Sequence, residues 1–305
     1  MLIKKQNMRK HNSHEWFMAA FAAELQCKYI LCTDCSTVFD EDMLEKLTAH
    51  LEDPRNANTT AVCGRQRVMA ADIQNKGDQN KQHQGAEILA APTEYFLRQI
   101  QTYDFEADHP VSKAAYDFLG FLPVLPGPCG LYRYADLKNG RYQQYFETVN
   151  KKSEECGLWL ANLKIAEDRI PSLFAVFSAT KTTQQDRFET HWVRDAVFYF
   201  EAETDLRSLV LQRRRWLNGT NAGYLYIAQN LRKFVWGSGH TCTMKLCSTL
   251  MLLMQLVQIL VLSLGPGIFA AISFGVSNFL AIHYTHGDES PGLRPHDLTQ
   301  QVAAG

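Results

Sequence analysis

Residues 246–264 constrain this chain most: nineteen consecutive positions with no charged side chain. About 20 apolar residues is the length an α-helix needs to cross the hydrocarbon core of a bilayer. Its richness in Leu, Met and Val favours a membrane span over a buried core helix. Gln255 and Gln258 lie inside it, and polar groups at membrane depth face protein or a water-filled path rather than lipid. Gly265-Pro266-Gly267 is expected to end the helix. Residues 268–284 then form a second, shorter apolar segment that spans, re-enters or stops partway. The polar residues 285–305 are expected to be a disordered tail.

Upstream, the chain reads as an α/β domain. The 31 basic residues nearly balance the 32 acidic ones, so nothing global points to nucleic acid. The first ten residues are basic and polar, without the apolar core of a signal peptide, so the part ahead of the span is expected in the cytosol. Eight cysteines are scattered. Cys32 and Cys35 have C-x-x-C spacing but no second pair to complete a zinc site, and fit a strand end in a reducing compartment.

Helical period places a helix near residues 12–21, capped by Asn12 or Ser13, with Trp16, Phe17 and Phe21 on one face. The run K-Y-I-L-C-T ending in Asp34 has the pattern of a buried strand. Helix is expected over 40–51, strand over 60–68, and a surface loop over 77–84. Residues 86–119 are mostly helical with a break near His109-Pro110. Residues 122–134 read as strand, Pro/Gly turn, strand; 158–166 as helix; 196–202 as strand. The alternation argues a mostly parallel sheet. Tyr224, Leu225, Ile227, Leu231, Phe234 and Val235 recur at helical spacing, an amphipathic helix suited to a membrane interface. The expected organisation is a catalytic domain over 1–220, the interface helix over 221–240, a membrane region over 241–284 and the tail.

Three groups of residues carry chemistry. Gln212-Arg213-Arg214-Arg215-Trp216 sets three guanidiniums beside an indole. Guanidinium forks grip phosphate oxygens, and an indole face stacks on a sugar ring; such a run is also a common basic helix face beside a span. Asp34 stands at a strand's carboxyl end, where ligands bind in open α/β sheets, placed to hold Mg²⁺ or Mn²⁺ on a diphosphate or to cap a turn. Glu167-Asp168-Arg169 pairs two acids, one of which can serve as a base near neutral pH, or simply ends a solvated helix. Thr204-Asp205 is expected to position the arginine helix. Cation, base and phosphate grip are together what sugar transfer from a nucleotide donor requires.

These blocks resemble the chitin synthases, a branch of the processive, inverting family 2 glycosyltransferases. K-H-N-S-H-E-W followed by D-C-S-T is similar to the family's K-x-N-S-H-x-W and D-x-G-T region. Q-T-Y-D-F is similar to its Q-N-F-E-Y block, V-L-P-G-P-C-G-L-Y-R-Y to its V-L-P-G and Y-R-Y block, and A-E-D-R and Q-R-R-R-W-L-N-G match outright. The resemblance covers roughly residues 4–264. It implies a GT-A-like domain that takes UDP-N-acetylglucosamine with a divalent cation and feeds a β-1,4-linked chitin chain through the plasma membrane. It makes Asp34 the metal-associated residue and Asp168 the catalytic base, with Glu167 beside it. Gln212, Arg213, Arg214, Arg215, Trp216 and Arg169 bind donor and acceptor. Lys10 and Thr37 fall in the donor-side blocks, and Asp104 takes the place of the family's Glu near the acceptor. Ser36 stands where many related transferases carry a second Asp. The family also places a first donor-binding strand upstream of N-S-H-x-W and more spans downstream, so a fragment or truncated paralogue is expected. Self-association, a non-catalytic membrane partner, and a cellulose or hyaluronan synthase are further expectations weighed against it.

Overall fold

The computed structural model describes residues 9–70, 92–138, 141–151, 155–164, 168–176 and 188–287. Five strands, β1 (Tyr29–Cys32), β2 (Val38–Phe39), β3 (Thr59–Val68), β4 (Gly130–Arg133) and β5 (Glu189–Phe200), form one mixed sheet in the order β1-β4-β3-β5-β2. Only β3 and β5 pair in parallel; the other three pairings are antiparallel. This corrects the expectation of a mostly parallel sheet. The direction of the strands survives, because β1, β3 and β5 all run the same way around an inserted, reversed β4. Their carboxyl ends and the entrance to β4 therefore share one edge.

Both faces of the sheet are covered, which explains the near-continuous apolar strands. Along β3, side chains alternate between the faces. Val62 faces Met43, Leu47 and Leu51 of α2 (Met43–Glu52), together with Leu131 and Phe198. Ala61 and Cys63 face Leu122, Leu125, Tyr132 and Trp192. The three α2 residues recur every four positions and are almost fully buried. Each buried Leu contributes about 1.5–3 kcal/mol.

The β3–β5 register shifts after Gly64, which pairs with Val193, whereas Arg65 pairs with Val197. A Cβ on Gly64 would sit 2.2 Å from the Ala196 carbonyl oxygen. Only Gly permits that approach. Strand β5 also starts earlier than expected, at Glu189.

Residues 121–129 do not form the expected first strand. Pro123, Pro126 and Pro128 cannot donate to a ladder, and the amides of Leu122 and Leu125 donate instead to the hydroxyls of Thr190 and Ser172, both at 2.8 Å. The N-terminal helix α1 (Arg9–Trp16) already includes Asn12 and Ser13, so neither caps its start; it continues through a π-turn, Phe17–Phe21, with Trp16, Phe17 and Phe21 exposed. Helices α3 (Pro92–Tyr103) and α4 (His109–Phe118) are joined by a second π-turn, Asp104–Asp108, just ahead of the expected break. Residues 77–84 lie outside the described residues.

After α5 (Tyr134–Lys138), α6 (Arg141–Val149), α7 (Leu158–Leu163) and α8 (Arg169–Val176) comes α9 (Leu206–Gln229), capped by Asp205, whose carboxylate accepts from the Ser208 amide at 2.9 Å. This is the positioning role expected of Asp205. Helix α9 is continuous through Trp216 and packs on α7 and α8. Tyr224, Ile227, Phe234 and Val235 are buried in protein. The apolar positions read as a separate interface helix are therefore mostly core, and the chain leaves α9 through a π-turn at Arg232–Trp236.

The chain divides into two compact units, Met1–Leu252 and Leu253–Gly305. Helix α10 (Cys242–Gly287) runs 46 residues with Pro266 inside it, so Gly265-Pro266-Gly267 does not break it. Its segment Cys242–Leu280, 39 residues, is the one helix among the described residues long and apolar enough to cross a membrane. At about 1.5 Å per residue it extends about 58 Å, nearly twice a hydrocarbon core of about 30 Å. Within the second unit, Leu253, Met254, Leu260, Phe269 and Phe274 are exposed.

Candidate active site

Gly127, in the proline-bounded turn ahead of β4, sits at the centre of the first cluster. A Cβ built on it would lie 3.2 Å from Lys10 Nζ, 3.5 Å from Asp34 Oδ2 and 3.8 Å from Asp168 Cβ. Three residues far apart in sequence thus border one small space. Asp34 reaches it because β1 ends at Cys32; Lys10, in the first turn of α1, donates from Nζ to Asp34 Oδ1 at 2.8 Å. Asp168 reaches it from the residue before α8. The Ser172 hydroxyl donates to the Asp168 carbonyl at 2.7 Å and accepts from Leu125 N, tying the turn to α8.

Burial pushes the Tyr132 phenol well above its usual range. Burial likewise raises the Cys32 thiol to about 11, against the pull of Lys10. Both stay neutral near pH 7 and leave the charge to the carboxylates and Lys10. Cys32 and Cys35 are free thiols. Thr37 closes the turn after Asp34, its amide donating to the Asp34 carbonyl at 3.3 Å, while its buried hydroxyl has no partner.

The second cluster surrounds the arginine run on α9. Arg213 stacks over Trp216, 4.7 Å from the ring centroid, and over Phe105 at 5.7 Å. Its Nη2 lies 2.9 Å from Asp104 Oδ2, close enough for an ion pair although no N–H points in line for a hydrogen bond. Burial lowers the Arg213 pKa and Asp104 counters it, so the guanidinium stays charged. Phe105 meets Phe200 at 4.6 Å and Trp216 at 6.4 Å, both edge-on. Gln212 Nε2 donates to Glu203 at 2.8 Å, and its buried Oε1 has no partner among the described residues. Arg214 and Arg215 are exposed on the same helix.

The structure therefore brings Lys10, Asp34 and Asp168 together, and separately Asp104 with Gln212, Arg213 and Trp216. Both groups lie on the carboxyl edge of the sheet, one after β1 and one after β5. Three strand spacings separate those strands, about 14 Å at about 4.8 Å each. Arg169 opens α8, and Glu167 lies outside the described residues. Gly127, Ser172, Phe105 and Phe200 were not found from sequence. The first two had a signal, a Gly between two prolines and a Ser four residues after the acid; Phe105 closes the Q-T-Y-D-F block, and Phe200 had none.

Among the described residues no group of three or more His, Cys, Asp or Glu could hold a metal alone. The carboxyl edge of the sheet thus carries a carboxylate facing a space left open by a glycine and, separately, a guanidinium stacked on an indole. The chain belongs to the chitin synthase-like glycosyltransferase domain family, whose model matches residues 1–231. It is 28% identical to Chitin synthase 1 of Phytophthora sojae over 244 residues, covering 80% of this chain and 24% of that protein. It is 25% identical to Chitin synthase C of Aspergillus oryzae over 284 residues, 91% of this chain and 28% of that one. It is 28% identical to Chitin synthase 2 of Rhizopus oligosporus over 253 residues, 80% and 26%. The chain thus spans about a quarter of the length of these relatives.

Proposed function

We propose that the first unit transfers N-acetylglucosamine from UDP-N-acetylglucosamine to the 4-hydroxyl of a growing β-1,4-linked chitin chain, with inversion. The observation that carries this reading is the convergence of Lys10, Asp34 and Asp168 on the space beside Gly127. In it, Asp168 accepts the acceptor's hydroxyl proton. Arg214 and Arg215 are free to grip the donor diphosphate, and Trp216 offers its ring to the acceptor sugar. Gln212, with its unpaired amide oxygen, accepts from a sugar hydroxyl.

The residues fit a divalent cation of the kind held by one carboxylate and substrate phosphates. Asp34 Oδ2 faces the Gly127 space, while Oδ1 is occupied by Lys10. Mg²⁺ or Mn²⁺ bound there would neutralise charge on the departing UDP. The apolar helix α10 supports a membrane-bound enzyme with its catalytic part in the cytosol, which sends polymer across the bilayer.

Membranes carrying the chain, given UDP-N-acetylglucosamine and Mn²⁺, should make an insoluble product digested by chitinase. Asp168→Asn should lower the rate at least about 10²-fold, the lower part of the range for removing a positioned base. Equal rates for the two proteins would remove Asp168 as the base. A second reading is a non-catalytic membrane partner of a synthase. No detectable heat on titrating UDP and Mn²⁺ would support that one.

A further inference from the structure

The π-turn Asp104–Asp108 is anchored at three successive residues. Asp104 pairs with Arg213, Phe105 is buried between Phe200 and Trp216, and Glu106 faces the sheet. There the two carboxylate oxygens of Glu106 are gripped separately, Oε2 by Arg65 Nη2 and Oε1 by Arg67 Nε. Arg65 and Arg67 share a face of β3 because they are two positions apart. They come just after the Gly64 register shift, on the last turn of pleat before the strand's carboxyl end. Burial alone would raise the Glu106 pKa, but the two guanidiniums hold it below its usual range, so it stays ionised.

We propose that Glu106 is a positioning residue for the acceptor side of the site, and this rests on the transfer reading above. Gripped by Arg65 and Arg67, it pins the π-turn to β3. The turn in turn sets Asp104 and Phe105 against the Arg213–Trp216 stack, so the plane of the indole is fixed by a carboxylate that never touches it. Mid-helix π-turns depart from the ordinary i−4 pattern and are found often at functional sites. Nothing in the Q-T-Y-D-F block identified Glu106, which lies one residue beyond it.

The test uses the full chain in detergent, with UDP-N-acetylglucosamine as donor and a chito-oligosaccharide as acceptor. Glu106→Gln should raise the acceptor KM about tenfold, the loss expected when hydrogen bonds to a charged group are weakened. Donor KM, kcat and melting temperature should stay near wild type, and Glu106→Asp should recover part of the loss. An unchanged acceptor KM would overturn the proposal, as would a fall in kcat and melting temperature alone. If the wild-type chain transfers nothing, the transfer reading fails by itself. Hydrogen exchange over residues 101–108 then judges Glu106: faster exchange in Glu106→Gln supports the pinning, and unchanged exchange refutes it.

Discussion

Gly127→Ala separates chemistry from folding at the first cluster. The added methyl would stand 3.2 Å from Lys10 Nζ, 3.5 Å from Asp34 Oδ2 and 3.8 Å from Asp168 Cβ. Its nearest neighbour is the tip of a flexible side chain, which can yield by a few tenths of an ångström. The fold loses at most the Lys10–Asp34 pair, whose side chains are 33% and 42% exposed, and such pairs contribute about 0–1 kcal/mol. Replacing Gly by Ala at a compatible backbone position returns about 0.4–1 kcal/mol by restricting the unfolded chain. These nearly cancel, so the melting temperature should move by less than about 4 °C. Activity should not survive as well. In the proposed transfer the methyl would fill the space taken by donor and cation, and displacement of reacting groups by about 1 Å can cost about 10²-fold. Gly64→Ala is the opposite case: its Cβ would meet the Ala196 backbone oxygen at 2.2 Å, and no flexible tip can give way. Overpacking there should cost about 1–3 kcal/mol. Initial rates of UDP release, UDP binding by calorimetry and melting of both variants decide the matter. A Gly127→Ala protein with at least a third of wild-type transfer, or one losing activity only in step with its folded fraction, would refute the assignment.

Arg213→Lys should keep the charge beside Asp104 but lose the planar stack on Trp216 and Phe105, weakening acceptor binding about tenfold; an acceptor titration followed by initial rates checks it. At the opposite edge of the sheet, His191 is expected to make stability depend on pH. Burial would lower its pKa, but hydrogen bonds from its ring to Asp117 and Glu189 raise it to about 9. Because the folded value exceeds the unfolded one of about 6.5, this stabilisation is complete below pH 6.5 and lost as pH rises through about 9. Denaturant unfolding should show a decline on the order of 2–3 kcal/mol across that window, and His191→Gln should flatten it. A slope unchanged in His191→Gln would sink the assignment.

Local patterns in the chain reported strongly where a segment's own residues decide its structure. The K-Y-I-L-C-T strand, the helix at Met43–Glu52 and the long apolar helix follow from periodicity and length, and Asp34 was placed because a carboxylate at a strand's carboxyl end has one useful edge to face. Sequence failed where distant partners decide. The Leu122 and Leu125 amides look available for a ladder until Thr190 and Ser172 take them. Tyr224, Ile227, Phe234 and Val235 have the same amphipathic period whether lipid or protein covers them. Gly265-Pro266-Gly267 reads as a helix stop because Pro removes one donor. In α10 that loss does not end the helix, which runs on to Gly287. The binding run around Trp216 was legible as residues but not as a device, because its geometry depends on Asp104 and Phe105 from another helix and, through Glu106, on two arginines of β3.

The reversal of β4 is the feature that makes the first cluster possible. Had residues 122–134 formed the expected hairpin, Gly127 would have lain at a tip between two strands. Instead the proline-rich segment stays irregular and only residues 130–133 join the sheet, antiparallel to both β1 and β3. An antiparallel strand enters the sheet on the edge where its parallel neighbours leave it. Cys32 therefore sits opposite Gly130, and the turn that precedes β4 arrives beside the turn that follows β1. Asp34 and the glycine that leaves it room are consequently held by one pair of strands. Asp168 is tied to them through the Ser172 hydroxyl, which bonds both the turn and the Asp168 carbonyl. A parallel strand at this place would have delivered Gly127 to the far edge, and no rearrangement of side chains could have brought it back to Asp34.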